Sequence, residues 1–268
     1  MMDTNRYSGR IVELVGVAGA GKSTISKFAK GELHRAGIDT LDLKDALVRL
    51  CDEGLIQRVA AFIGLPHPVR ARLRGRLGRL KRRGLREFCK TNPEAMALIG
   101  SRLARIRRTT PHEAERIEEW VHSHAASYEL LNKSRSGWAL CLCEEGIATR
   151  LVNLFASIAT PNDLEGFHDC LATWPLPDAV VHVQVDMKTA FSRVEERGRP
   201  KRLAGATQQE MLRFLKNSSY VVGAISEEAR RRGIPVFEID NSPTRECVTP
   251  DLSRWTACAE GLIHLADQ

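Results

Sequence analysis

The sequence predicts an α/β fold in which a parallel β-sheet is covered by helices on both faces. Five short apolar runs are distributed along the chain, segments of helical periodicity separate them, and a glycine-rich turn follows the first run. Continuous apolar runs are typical of parallel strands, because both faces of such strands contact the core. Parallel neighbours also require a crossover connection, which is usually a helix. The alternation of the two patterns therefore predicts the sheet.

The first part of the chain contains two predicted strands and two predicted helices. Gly16 ends the first strand, and Gly37 ends the first helix, since glycine is favoured just after a helix. Pro66 and Pro68 follow the second predicted helix and prevent it from continuing. The strands are predicted at residues 11–15 and 38–43, and the helices at residues 23–36 and 46–64.

Residues 46–136 are predicted to form a helical insert between the second and third strands. Proline is tolerated at the first position of a helix, so Thr91-Asn92-Pro93 indicates a helix start. Thr110-Pro111-His112-Glu113 indicates a second start, with the spacing of a capping box. An earlier helix in the insert is expected to be weak, because glycines interrupt its leucine pattern. These glycines are Gly75, Gly78 and Gly84.

The remaining strands follow the insert. They are predicted at residues 138–143, 179–185 and 236–239, and a helix is predicted from Asp186 through Arg197. No internal repeat or low-complexity tract interrupts this order. We therefore expect one domain over residues 1–268.

The composition excludes some classes of protein. The chain has 268 residues, 43% hydrophobic and 27% charged, which is typical of a globular domain. Neither a secretory signal nor an apolar run long enough to cross a membrane is visible, so we expect a protein of the cytoplasm, or of the host cytoplasm if the source is a virus. The seven cysteines are scattered and odd in number, which favours free thiols.

Positive charge is concentrated in residues 70–108. This segment contains fourteen Lys or Arg residues and two acids, a balance of +12, whereas the whole chain carries +7. The rest of the chain therefore sums to −5. A basic block of this kind usually faces an anion, such as phosphate, nucleic acid or an anionic surface.

A phosphate-binding motif lies between the first strand and the first helix. The pattern G-x-x-x-x-G-K-[ST] lets backbone N–H groups surround phosphates at the positive end of a helix. The lysine of such a loop reaches the β- and γ-phosphates of ATP, and the hydroxyl that follows ligates Mg²⁺. The nucleotide-binding residues are therefore predicted to be Gly16, Val17, Ala18, Gly19, Ala20, Gly21, Lys22, Ser23 and Thr24, with Lys22 also catalytic and Ser23 also a metal ligand.

The end of the third strand shows a resemblance to a known family. Glu144-Glu145-Gly146 follows an apolar strand and resembles the Asp-Glu-Gly signature of thymidylate-kinase-like P-loop kinases, with Glu144 in place of the aspartate. The resemblance implies a P-loop NTPase fold, an ATP-dependent kinase, Glu144 as a metal ligand and a catalytic role for Glu144 and Glu145. It covers residues 10–241, apart from the basic insert, where such kinases build acceptor specificity.

Residues 187–205 resemble the lid of nucleoside and nucleotide kinases. In those enzymes a helix ends in an arginine-rich loop that closes over the phosphate being transferred, where cations offset developing negative charge. A solvated helix end is the alternative, because cations also favour the C-terminal dipole of a helix. The candidate catalytic residues are Arg193, Arg197 and Arg199, and Arg202 lies in the same cluster.

Two further residues are candidates by position. Asp45 follows the second strand, where related hydroxyl kinases place a carboxylate that accepts the proton of the acceptor. Capping of a helix from Ala46 is the equal alternative. Asn241 follows the last strand, where the family wraps a loop around adenine, although its neighbours also suit an ordinary turn.

Three functions remain open. The leading hypothesis is a kinase whose acceptor suits the basic segment 70–108; nucleic acid fits, and viral kinases that phosphorylate 5-hydroxymethyluracil in DNA are the most specific match. The second is a thymidylate-kinase-like enzyme acting on a free nucleotide or a phosphorylated sugar. The third is a nucleic-acid-binding ATPase without kinase activity, since residues 55–73 faintly resemble a helix-turn-helix.

Overall fold

The computed structural model describes residues 8–51, 67–157, 164–199, 203, 205–243 and 252–267. A five-stranded parallel sheet forms its centre, with the strand order β2-β3-β1-β4-β5. Both the α/β class and the parallel sheet predicted from the sequence are confirmed. The strands are β1 (Arg10–Val15), β2 (Thr40–Asp42), β3 (Leu140–Cys143), β4 (Ala179–Gln184) and β5 (Val236–Asp240).

Helices connect and cover these strands. In chain order they are α1 (Lys22–Arg35), α2 (Leu43–Cys51), α3 (His67–Thr91), α4 (Pro93–Thr109), α5 (Pro111–Lys133), α6 (Thr149–Phe155), α7 (Phe167–Thr173), α8 (Met187–Arg197), α9 (Gln208–Arg231) and α10 (Leu252–Ala266). The second helix was predicted at 46–64; α2 begins earlier, and residues 52–66 lie outside the described part of the chain. Within that part, no helix is long and apolar enough to cross a membrane.

The central strand β1 contacts the core on both of its faces. Alternate residues of a strand point to opposite faces, and Ile11 packs in one cluster with Leu41 and Cys141. Val12 and Leu14 pack in a second, larger cluster on the other face. Burial on both faces explains why β1 is nearly all apolar. After Arg10, which begins the strand, the exception is Glu13, which is 1% exposed.

The first half of the basic segment lies in one unbroken helix, α3, of 25 residues, and the second half lies in α4. The glycines do not interrupt this helix, and at Gly84 packing supplies a reason for the missing side chain. A Cβ at this position would lie 2.6 Å from the carbonyl oxygen of Ala126 in α5, so the missing side chain lets the two helices approach closely. Helix packing overrides the low helix propensity of glycine here.

The start of α5 was predicted correctly, but its capping box is not formed. Thr110 is the N-cap residue, yet its side chain makes no capping hydrogen bond. The Glu113 carboxylate instead accepts a hydrogen bond from the Ser157 hydroxyl at 2.8 Å. A tertiary contact thus replaces the local one that the sequence pattern suggested.

A capping box does form at α9, which sequence reasoning did not identify. The Thr207 hydroxyl accepts from the backbone N–H of Glu210 at 3.2 Å, and the Glu210 carboxylate accepts from the backbone N–H of Thr207 at 2.7 Å. The signal was present as Thr-x-x-Glu before an apolar periodic run. This helix contributes Phe214 and Ser218 to the site described next.

Candidate active site

The loop between β1 and α1 has the backbone of a phosphate-binding loop. Gly19 and Gly21 adopt φ angles of 82° and 91°, which other residues adopt at a cost in strain. A Cβ at Gly19 would lie 2.5 Å from the carbonyl oxygen of Ala190, so the loop also packs tightly against α8. With this loop on the central strand of a parallel sheet, the chain has an α/β P-loop fold.

Lys22 begins α1 and folds back over the loop. Its ammonium group donates hydrogen bonds to the carbonyl oxygens of Gly16 at 2.8 Å and Val17 at 3.2 Å. These contacts keep the charge at the mouth of the loop, where the β- and γ-phosphates of a nucleotide would lie. Catalysis by Lys22 stays a prediction, and its position suits that role.

Ser23 and Glu144 meet across the site although 121 positions separate them. The Ser23 hydroxyl donates to the Glu144 carboxylate at 2.5 Å. A hydroxyl and a carboxylate are oxygen donors of the kind that Mg²⁺ prefers, and Mg²⁺ in phosphotransferases keeps several waters and takes one or two protein carboxylates. The donor set therefore fits Mg²⁺, and Glu144, rather than Glu145, is adjacent to the serine.

Glu145 points to a different partner. Its carboxylate accepts from the guanidinium of Arg150 at 2.8 Å, and the Arg150 side chain is only 2% exposed. Desolvation raises the pKa of Glu145, but the charge and hydrogen bond of Arg150, together with the charge of Lys22, hold it below its usual value. Glu145 is thus a carboxylate that neutralises a buried arginine in the cavity wall.

Glu13 is a buried carboxylate that sequence reasoning missed. It accepts from the backbone N–H groups of Gly146 at 3.0 Å, Ala148 at 2.9 Å and Thr149 at 2.7 Å, and from the Thr149 hydroxyl at 2.6 Å. Burial raises its pKa, while these hydrogen bonds oppose the shift. The available signal was one acid within an apolar strand, which is costly unless the charge has partners.

The lid candidates occupy different places around α8. Arg193 donates to the carbonyl oxygens of Gly19 at 3.4 Å and Asn241 at 3.2 Å. Arg197 lines the cavity described below. Arg199 instead pairs with Glu195 at 2.7 Å and donates to the carbonyl oxygen of Ala206. A catalytic role for these arginines remains a prediction. Arg202, like residues 200, 201 and 204 of the predicted lid 187–205, lies outside the described residues.

Asn241 supports the phosphate loop from the end of β5. Its side-chain amide donates to the carbonyl oxygen of Ala20 at 2.7 Å. Its amide oxygen is buried and has no hydrogen-bond partner among the described residues. The structure thus places Asn241 behind the phosphate loop, and its predicted contact with a nucleotide stays a prediction.

A cavity of about 490 Å³ opens beside the phosphate loop. One wall is the loop with Ser23 and Glu144, and the opposite wall comes from α5, α6 and α9. The lining residues of that second wall are Arg116, Trp120, Thr149, Arg150, Val152, Asn153, Phe214 and Ser218. Sequence reasoning did not single out Arg116 as a site residue, because its proximity to the phosphate loop depends on how the insert folds back.

Asp45 does not belong to the lining of this cavity. Helix α2 begins at Leu43 rather than Ala46, and the Asp42 carboxylate, not Asp45, accepts from the backbone N–H of Asp45 at 2.8 Å. The aspartate that caps this helix is therefore Asp42, one turn before Asp45, and the expected capping by Asp45 is wrong. Its role as a general base stays a prediction that no contact in the described chain supports.

Helix α5 also carries two histidines, His122 and His124. His124 is partly buried, and its ring Nδ1 lies 2.8 Å from the carbonyl oxygen of Trp120, to which it donates. Burial lowers the pKa of His124 to about 4, and the charge of Arg150 adds to the shift. Among the described residues, no cluster of three His, Cys, Asp or Glu could hold a metal ion. Cys141 and Cys143, described in β3, are free thiols as expected.

The described side chains of the basic segment 70–108 include a buried arginine, two arginines in ion pairs and an exposed stripe. Arg102 is 3% exposed and donates to the carbonyl oxygen of Leu154 at 3.1 Å. The exposed stripe follows one face of α3, at helical spacings of three and four. Its members are Arg79, Arg82, Arg83, Arg86 and Lys90, of which the four arginines have no ion-pair partner among the described residues.

No protein-family model and no curated protein matches the sequence. Among solved structures, a deoxyadenosine kinase from M. mycoides with dCMP and a flexible dCDP bound is 13% identical, has a TM-score of 0.46, and covers 94% of this chain and 98% of its own. Thymidylate kinase from Ehrlichia chaffeensis is 11% identical, with a TM-score of 0.36 and coverage of 95% and 99%. A Thermus thermophilus protein is 18% identical, with a TM-score of 0.36 and coverage of 96% and 97%. At these values the neighbours' activities say nothing about the activity of this chain, whose fold follows from its own strands and phosphate loop.

Proposed function

We propose that this chain is an ATP-dependent phosphotransferase that moves the γ-phosphate of ATP to a hydroxyl group of a nucleotide-type acceptor. One observation carries the proposal. A single cavity brings the phosphate loop and the Ser23–Glu144 pair to one side and a wall of aromatic and cationic side chains to the other. A phosphotransferase needs both, because catalysis of phosphoryl transfer is almost entirely positioning and charge stabilisation.

The residues divide the work as follows. The backbone N–H groups of the loop and the Lys22 ammonium bind the β- and γ-phosphates. Ser23 and Glu144 hold Mg²⁺, which supplies charge neutralisation to the phosphate oxygens. Arg197 lines the cavity from the end of α8 and offsets charge on the transferring group when the lid closes.

The opposite wall supports a nucleotide-type acceptor. Trp120 and Phe214 supply aromatic faces for a flat ring, and Arg116 supplies a cation for a phosphate group. Arg116 is exposed and has no ion pair among the described residues, so its charge is available to a ligand. A phosphorylated sugar would use the cation but not the rings.

The test is transfer of radiolabelled γ-phosphate from ATP to a panel of acceptors. The panel contains free nucleosides, nucleoside monophosphates, phosphorylated sugars and DNA with 5-hydroxymethyluracil. We expect Mg²⁺-dependent labelling of a nucleotide-type acceptor, and weaker acceptor binding in Trp120→Ala but not in Trp255→Phe, a control whose indole lies against α1. Hydrolysis of ATP without labelling of any acceptor would favour the nucleic-acid-binding ATPase instead.

A second candidate acceptor, 5-hydroxymethyluracil within DNA, is favoured by the stripe on α3. Its cations extend from position 79 to position 90, which is about 17 Å along a helix. A row of exposed cations on one helix face suits the phosphates of a nucleic acid, whose binding depends largely on neutralised phosphates. The stripe lies outside the lining of the cavity, so it would hold the polymer and not the reacting hydroxyl.

Salt dependence distinguishes the two candidates. For the DNA acceptor, Arg79→Ala, Arg82→Ala and Arg83→Ala together should weaken DNA binding regardless of sequence. The log-log salt slope should also become shallower, by about 0.9 for each phosphate that the variant no longer neutralises. The matched control replaces Lys216, Arg230 and Arg231 of α9 by alanine, which removes the same charge elsewhere. A flat salt response of the unmutated protein would exclude the DNA acceptor and leave the phosphotransferase proposal intact.

A further inference from the structure

Glu13 is the one acid of β1, and its side chain is buried in the centre of the sheet. It is 1% exposed, and it lies on the same face of the strand as Ile11 and Val15. Burying an ionised carboxylate is expensive unless hydrogen bonds or opposite charges compensate. An acid at this position therefore requires a reason beyond packing.

The carboxylate is fully engaged by the segment that follows β3. Its oxygens accept hydrogen bonds from three backbone N–H groups and one hydroxyl, at distances of 2.6 to 3.0 Å. Gly146 fits this arrangement, because a Cβ there would lie 2.5 Å from Glu13 Oε2. The glycine of Glu144-Glu145-Gly146 thus makes room for a carboxylate from another strand.

These four hydrogen bonds hold residues 146–149, a segment with candidate site residues at both of its ends. Glu144 and Glu145 immediately precede the clamped residues 146–149, and Arg150 follows them. On the other side, β1 continues directly into the phosphate loop and Ser23. Glu13 therefore links, through one rigid strand, the two groups that meet at 2.5 Å in the proposed metal site.

Direct participation in the chemistry is excluded by position. Glu13 does not line the cavity of about 490 Å³ beside the phosphate loop. Its oxygens are already used by four donors. Glu13 can instead fix the position of the backbone of residues 146–149, and with it the position of the Glu144 carboxylate.

We propose that Glu13 is a positioning residue that sets the Glu144 carboxylate against Ser23 for metal binding, an inference that rests on the phosphotransferase function proposed above. Partners of this kind act through the groups they orient, and their removal typically lowers metal affinity about 10- to 100-fold. We expect the effect to be specific to the metal, because all four hydrogen bonds of Glu13 go to residues 146–149 and none goes to the phosphate loop.

The experiment compares Glu13→Gln with unmutated protein in calorimetric titrations with ADP, once with Mn²⁺ and once with EDTA. Glutamine keeps the shape but turns one acceptor oxygen into a donor that faces backbone N–H groups. We expect ADP affinity in EDTA within about twofold of the unmutated value, and affinity in Mn²⁺ reduced about tenfold or more. The matched control, Val12→Ala, removes buried volume from the same strand on its other face.

The inference would be overturned if Glu13→Gln lost ADP affinity equally with and without Mn²⁺. It would also be overturned if Val12→Ala, at the same thermal stability, showed an equal loss of affinity that is specific to Mn²⁺. Should Glu13→Gln fail to fold, Gly146→Ala provides the second variant, since its Cβ displaces the same carboxylate from the other side; an unchanged Mn²⁺ response there contradicts the proposal. The titration needs no acceptor. If Mn²⁺·ADP binding depends on Glu13 as expected but no acceptor is phosphorylated, only the proposed function is contradicted.

Discussion

Two charged regions of this protein are organised in opposite ways. At the carboxyl edge of the sheet, Glu13, Glu144 and Glu145 each have a partner within 3.0 Å, so their positions are determined by the fold. On α3, Arg79, Arg82 and Arg83 extend into solvent without an ion pair among the described residues. Charged groups that are held by partners have defined positions, and a catalytic site requires defined positions. The exposed stripe attracts anions from one side of the molecule but does not fix where they bind.

The difference explains why the density of charge along the sequence was a poor guide to the site. The +12 segment dominates the net charge, yet none of its described side chains lines the cavity. The cavity uses Arg116, Arg150 and Arg197, which lie outside that segment. Net charge informs about partners at long range and not about the geometry of a site.

The largest effect is expected for Lys22→Ala. Because the lysine supplies the charge at the mouth of the loop, turnover should fall by about 100-fold or more. Its two hydrogen bonds to loop carbonyl oxygens are local, so the circular dichroism spectrum should be unchanged. Lys27→Ala, an exposed lysine on the same helix α1, is the matched control and should leave turnover unchanged. Near-normal turnover in Lys22→Ala would contradict the assignment of the paired region as the reacting centre.

Glu144→Gln and Glu145→Gln should separate metal binding from stability. We expect Glu144→Gln to reduce turnover by about tenfold or more and to raise the Mg²⁺ concentration needed, because a charged metal ligand is removed. Glu145→Gln should instead lower the free energy of unfolding by about 1–3 kcal/mol, since buried Arg150 loses its ionised partner. Magnesium titrations measure the first effect and urea unfolding measures the second. Equal effects of both variants on the Mg²⁺ requirement would contradict the separate roles of Glu144 and Glu145.

Glycine substitutions in α3 test whether the side of this helix that faces α5 is closely packed, in contrast to its exposed stripe. Gly84→Ala should destabilise the protein by about 1–3 kcal/mol, because its Cβ meets the backbone of α5. Gly78→Ala should stabilise it by about 0.5–1 kcal/mol, since the nearest atom is 3.9 Å away on the flexible Arg82 side chain. Thermal unfolding measures both, and the same sign for the two variants would argue against close packing at Gly84.

The smallest effect concerns His124, which lies between the two regions near Arg150, Glu145 and Lys81. Its folded-state pKa of about 4 is below the ordinary value of 6.5, so the unfolded chain binds the proton more readily. Its contribution to stability is present above pH 6.5 and is lost as pH falls toward 4, by at most about 3 kcal/mol. His124→Asn keeps a donor for Trp120 but cannot titrate. Urea unfolding across this pH range should therefore show a shallower loss in the variant, and identical slopes would contradict the prediction.

Local patterns in the sequence predicted the elements whose cause is local. The apolar runs identified all five strands, and the phosphate-binding motif identified the loop, because each depends on neighbouring residues. The capping box expected at Thr110 failed because Glu113 is used by Ser157, a contact that the sequence pattern does not contain. The same limit applies to Trp120, whose place in the cavity wall depends on the packing of the whole insert.

The site residues that the sequence missed share that origin. Glu13 is unusual only as an acid among apolar neighbours, and its partners are found only when β1 and β3 pair. Ser23 and Glu144 were predicted separately, from the motif and from the resemblance, but their contact requires the sheet. Pairings that join distant segments are invisible to periodicity, which reports only the surroundings of each element.

The hydrogen bonds of Glu13 have a consequence for the order of folding. They join residues 133 to 136 positions apart, on either side of the entire insert. Contacts of such long range form late, whereas the insert helices contact close neighbours along the chain and can assemble early. The centre of the sheet, and with it the edge where Ser23 meets Glu144, can close only after the insert has been synthesised. Lengthening the insert would add little to this cost, since doubling a loop adds about 0.6 kcal/mol of closure entropy. The insert helices can therefore change in length over evolution at little cost to closing the centre of the sheet.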